Sequence, residues 1–125
     1  MADFSLRARV HSFADAIRGI ATLLAQEANA QIHLVASIAA IALGLWLGLT
    51  PGEWCWIALA IALVWVAEAL NSALEALADA VHPARDPRVG RAKDLAAGAV
   101  LIAAIASAVI GALLFGPRLF ARLSA

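Results

Sequence analysis

Three apolar runs, within residues 31–49, 54–80 and 92–116, constrain the fold more than any other feature of this chain. Each is close to or longer than the ~20 residues a helix needs to cross the hydrocarbon core of a bilayer. Inside that core the backbone must satisfy its own hydrogen bonds, so such runs are helices. The rest of the chain offers no other home for them. Of 125 residues, 64% are apolar, well above the ~45–50% of an ordinary soluble domain. A water-soluble fold this short is mostly surface and cannot hide that many apolar side chains. The expected fold is an all-α membrane protein: one domain over 1–125, with three transmembrane helices and an N-terminal surface helix.

The surface helix is read over about 3–26. Leu6, Val10, Phe13, Ile17, Ile20 and Leu24 recur at steps of three and four, while Arg7, Asp15 and Arg18 fall elsewhere on the wheel. A single apolar stripe of this kind lies in the membrane interface, packs on its own bundle, or does both. The breaks between runs are "TPGE" at 50–53 and "VHPARDPRVGR" at 81–91, each marked by proline and glycine. Arg7, Arg9 and Arg18 precede the first crossing, and Arg85, Arg88, Arg91 and Lys93 follow the second. Two crossings place these groups on one side, and the positive-inside rule makes that side cytoplasmic, in a cell (inner) membrane. Arg118 and Arg122 vote the other way but are outnumbered. Trp46, Trp54 and Trp56 flank the opposite turn, as an aromatic belt would. Gly44 and Gly48 give the first span a small-residue face for close helix approach.

Several function classes drop out. Nine basic and nine acidic residues balance, which leaves no electrostatic case for nucleic acid. One cysteine, Cys55, excludes an internal disulfide framework and a cysteine-based zinc cluster. No short apolar core with a small-residue cleavage site stands at the N-terminus, so no cleaved signal is expected. Soluble nucleotide-binding signatures such as GxxxxGK[ST] and GxGxxG are missing.

The second run is the unusual one. "AEALNSALEALAD" at 67–79 places Glu68, Asn71, Glu75 and Asp79 at spacings of three, four and four. At ~100° per residue they share one helical stripe about 80° wide, bordered by Ser72. A carboxylate at mid-membrane costs roughly 2.5–3.5 kcal/mol even on lenient scales, so an intramembrane acid points to function. Glu68 lies about 16 Å along the axis from Asp79, too deep to reach water easily. Glu27, in "QEANAQIH", and Lys93 and Asp94, in "GRAKD", fall at the same membrane boundary as Glu75 and Asp79. Carboxylates with a lysine can hold a hard divalent cation and a polyphosphate. A separate, deeper Glu68 can accept a proton from a hydroxyl presented within the bilayer. That division of labour fits phosphoryl transfer to a lipid alcohol. A proton or cation channel, or a transporter, also uses an acidic stripe and stands as the alternative. Simple pairing of the acids with lysine, an interfacial role for His33 and an interhelical role for Asn71 stand beside both.

These residues resemble a known family. "VAEALNSALEALAD" followed by "GRAKDLAAGAVL" is similar to the signature of the small prokaryotic diacylglycerol kinase and undecaprenol kinase family. "SFADAIRGI" and "EANAQIHL" resemble two further elements of it, through Ser12, Phe13, Ala16 and Gly19, and through Glu27, Asn29, Ile32 and His33. The resemblance implies an ATP- and Mg²⁺-dependent membrane lipid kinase with three transmembrane helices and a surface helix. It also implies a homotrimer with active sites between protomers. By resemblance, Glu68 is the general base toward the lipid hydroxyl, and Glu27 and Glu75 hold Mg²⁺. Asn71, Asp79, Lys93 and Asp94 then complete the nucleotide end. Gln31 departs from the basic residue that often precedes Ile-His in the family. Asn29 and Ile32–His33 make this stretch more similar to the undecaprenol kinase branch than to the diacylglycerol kinase branch.

Overall fold

The computed structural model describes residues 5–124, which form four helices and no strand. Helix α1 (Leu6–Gln26) starts at Ser5, whose Oγ accepts the Ala8 N–H at 3.4 Å. The beginning expected near residue 3 lies outside the described residues. Leu6, Val10, Phe13, Ile17 and Ile20 are all more than half exposed, and Leu23 alone in α1 is buried. The apolar stripe therefore points away from the bundle, as a helix lying in the membrane interface requires.

Helix α2 (Ala28–Leu47) follows without a loop. Glu27 is at once the C-cap of α1 and the N-cap of α2, with an extended backbone at φ −104°, ψ 115°. The 20 residues of α2 span about 30 Å, one hydrocarbon thickness. The two glycines read as one face have separate jobs. Gly48 ends the helix at φ 67°, a left-handed conformation that glycine adopts without steric cost, and its N–H reaches the carbonyls of Gly44 and Leu45. Gly44 is where the Trp54 indole packs: a Cβ there would lie 2.8 Å from Trp54 Cη2 and 3.0 Å from Leu49 Cδ1. Gly44→Ala is thus expected to cost about 1–3 kcal/mol through overpacking. An earlier unfolding midpoint in a denaturing-detergent titration would register it.

Helix α3 (Pro51–Val81) begins earlier than the expected residue 54, because proline and glycine fall in its first turn instead of breaking it. Proline lacks only an N–H that has no helical partner at that position. Thr50 and Glu53 close a reciprocal capping box around it. Helix α4 (Pro87–Leu123) repeats the device, with Asp86 as N-cap and Pro87 as first residue, so the loop expected over 81–91 shrinks to 82–86. The guanidinium and backbone N–H of Arg88 hold the Asp86 carboxyl below the usual carboxylate range. That capping contribution is present at neutral pH and lost as pH falls through the depressed folded-state value.

The third span was expected to stop near 116, yet α4 runs through Pro117 to Leu123. Arg118 and Arg122 anchor these last turns. Arg118 Nε and Nη2 donate to Glu53 Oε1 and Oε2 at 3.0 and 2.6 Å, and its Nη1 donates to the Leu47 and Gly48 carbonyls. Arg122 donates to the Trp46 carbonyl and sits 5.0 Å over the Trp46 ring. The two arginines that counted against the topology are therefore engaged by groups at the α2–α3 turn. Arg118→Gln is expected to lower the unfolding temperature in micelles by several degrees. An unchanged unfolding temperature would contradict this anchoring role.

α3 and α4 form the principal pair and run antiparallel. Glu53 meets Arg118 at one end and Asp79 meets Lys93 at the other. Between them Ser107 Oγ donates to the Ala60 carbonyl at 2.9 Å, beside buried Ala103, Ile57 and Val64. Small side chains at this seam let the backbones approach closely. α2, α3 and α4 are each long and apolar enough to cross a membrane.

Candidate active site

Glu68 is the largest fully buried side chain among the described residues, at 1% exposure. It sits on the inner face of α3, with α2 across from it. Its Oε2 has no hydrogen-bond partner, and His33 Nε2 on α2 lies 3.8 Å away. That distance is within ion-pair reach and beyond hydrogen-bond reach. A buried carboxyl lacking a full set of partners is costly, and such groups cluster at functional sites.

One turn toward the loop, Asn71 is also buried, and its Nδ2 donates to Glu75 Oε1 at 3.1 Å. Asn71 Oδ1 and Ser72 Oγ are left without partners. Within the stripe, Asn71 holds the carboxylate of Glu75. The Asn71 amide thus donates within α3. Asp79 ends the stripe and pairs with Lys93 of α4. Both line an open hollow of about 480 Å³ together with His82, Arg85, Asp86 and Gly90. Asp94, one residue on, is exposed.

Glu27, at the α1–α2 junction, lies apart from that hollow. It lines a groove of about 470 Å³ between α1 and α3, with Gly19, Thr22, Gln26, Ser72 and Ala76. Its position follows from the extended backbone at the α1–α2 junction. Among the described residues no three of His, Cys, Asp or Glu gather closely enough to hold a metal by themselves. Small hard cations often take only one or two protein carboxylates, with phosphate and water oxygens completing the shell. Glu27 and Glu75 are carboxylates of the type that mode uses, and Lys93 carries a point charge of the type that attracts phosphate.

His33 is the residue whose place the linear sequence concealed. An interfacial role stood among the expectations, yet it faces the most buried carboxyl among the described residues. The available signal was that His33 and Ser37 are the polar interruptions of the first apolar run and lie four apart, on one face. Ser37 Oγ donates to the His33 carbonyl at 2.7 Å and accepts from Trp65 Nε1 at 3.1 Å. Gln31 turns the other way, donating to the Leu24 carbonyl at 3.2 Å and tying α1 to α2. Outward of Glu68, α3 buries Val64, Ala60 and Ile57, an apolar continuation that gives a channel no support.

A family described as prokaryotic diacylglycerol kinase matches residues 14–115 of this chain. The undecaprenol kinase of Bacillus subtilis is 39% identical over 108 residues, covering 86% of this chain and 88% of that protein. The diacylglycerol kinase of Synechocystis sp. is 38% identical over 109 residues, covering 86% of this chain and 62% of that protein. Matched over most of its length, with its polar stripe inside the matched region, the chain belongs to the prokaryotic diacylglycerol kinase family of membrane lipid kinases.

Proposed function

We propose that the protein, acting as one unit over 1–125, transfers the γ-phosphate of ATP to the hydroxyl of a membrane lipid alcohol. The reaction takes place at the cytoplasmic face of the cell membrane. One observation carries this reading: the polar stripe of α3 is graded in depth, from a sealed Glu68 to the Asp79–Lys93 pair at an open hollow. Glu68 is the general base, placed where a hydroxyl that stays in the bilayer can be met. Asn71, Asp79, Lys93 and Asp94 bind and orient the nucleotide from the water side. Glu27 and Glu75 hold Mg²⁺, which when bound neutralises charge on the phosphate oxygens. Glu75 is kept in place for this by the Asn71 amide. Burial of Glu68 excludes water from the base and so favours the lipid hydroxyl as acceptor. The working form is a homotrimer, which would cover the apolar flanks that α4 leaves exposed at Leu101, Ile102 and Ile105.

Undecaprenol is favoured over diacylglycerol as the acceptor. Support comes from Asn29 and Ile32–His33, and from the near-complete overlap with the Bacillus subtilis undecaprenol kinase. The test offers both lipids together, at equal mole fraction in mixed micelles, to the purified protein with labelled ATP. Preferential labelling of undecaprenol is expected. Preferential labelling of diacylglycerol would reverse the substrate assignment and keep the kinase.

A further inference from the structure

We propose that His33 is a second acceptor-site residue: its Nε2 and Glu68 Oε2 hold the lipid hydroxyl between them. The inference rests on the lipid-kinase reading with Glu68 as base, and adds a role that His33 does not have there. The two atoms are 3.8 Å apart. Each is at ion-pair range of the other without being hydrogen-bonded, and Glu68 Oε2 has no other partner. An oxygen placed about 2.8 Å from both atoms closes a triangle on that base, at ordinary hydrogen-bond lengths.

The donor and acceptor inventory matches a hydroxyl. An ionised carboxylate only accepts, whereas an imidazole Nε2–H donates. A lipid O–H then donates to Glu68 and accepts from His33, with its second lone pair left to attack. In the transfer step the hydroxyl proton passes to Glu68 Oε2 and the oxygen bonds to the γ-phosphorus. The bond from that phosphorus to the β–γ bridging oxygen breaks, and ADP leaves with the electron pair. His33 keeps its proton throughout and orients the attacking oxygen.

Access supports the same placement. Glu68 is sealed, but the His33 side chain retains 17% exposure. His33 also ends a groove of about 270 Å³ between α2, α3 and α4, lined by Ala36, Ala40, Val64, Ala104 and Phe115. A hydroxyl arriving on an apolar chain along that groove reaches His33 before it reaches the base.

The test compares His33→Phe, which removes the donor and keeps bulk, with His33→Gln, whose amide N–H reaches about as far as Nε2. At saturating ATP, H33F is expected to lose at least ~10-fold in kcat/KM for the lipid, with the KM for ATP unchanged. H33Q is expected to recover most of that loss. If H33F does not fold, H33A takes its place. Wild-type lipid kinetics in H33F, or a folded H33Q as impaired as H33F, overturns the proposal. A wild-type protein that phosphorylates no lipid would instead remove the kinase reading on which it rests.

Discussion

Glu68→Gln is expected to reduce lipid phosphorylation by roughly 10²–10⁴-fold, the range that general bases contribute. Gln keeps the size of Glu68 and takes away its ability to accept the proton. Because Glu68 lies deep on α3, away from the Asp79–Lys93 pair at the hollow, nucleotide affinity is expected to stay near the wild-type value. Stability is expected to be equal or higher, since a neutral amide costs less to bury than a carboxylate with an unpartnered oxygen. Activity and stability thus move in opposite directions, as they do where a site keeps a costly group for its chemistry. Steady-state rates, nucleotide titration and detergent unfolding on the same preparation measure all three. Robust turnover by this variant would remove the base assignment.

Glu75→Gln is expected to fall by about 10²–10³-fold, the range for losing one preorganised electrostatic contact. Its signature differs from that of Glu68. Glu75 lies two turns nearer the loop, is only partly buried and is held by Asn71. The half-maximal Mg²⁺ concentration should therefore rise, while the KM for the lipid stays close to wild type. A variant with unchanged Mg²⁺ dependence and a raised lipid KM would place Glu75 at the acceptor end instead.

Much of this division by depth is legible in the linear chain, because it depends on helical periodicity alone. The spacing of Glu68, Asn71, Glu75 and Asp79 forces a stripe once the run is helical, and the surrounding apolar residues force the helix. Helix ends are less legible, since proline has two readings. Pro51 and Pro87 look like breaks but are first-turn residues under the caps of Thr50 and Asp86. Pro117 looks like a stop, yet the turns beyond it are held by Glu53, Trp46, Leu47 and Gly48, all distant in sequence. His33 follows the same pattern. Its polarity is visible in the first run, but its partner lies on another helix, and no local rule pairs them. Gly44 and Gly48 share a helical face by spacing, and only packing against Trp54 and the left-handed turn separates their roles.

The most direct measurement follows label from γ-³²P-ATP in mixed micelles containing purified protein, Mg²⁺ and a lipid alcohol. Phosphoryl transfer to the lipid predicts label in the organic phase that appears with Mg²⁺, disappears with chelator, and is absent when α-³²P-ATP is used. Label that stays entirely in the aqueous phase with both undecaprenol and diacylglycerol, from protein shown to be folded, would contradict it.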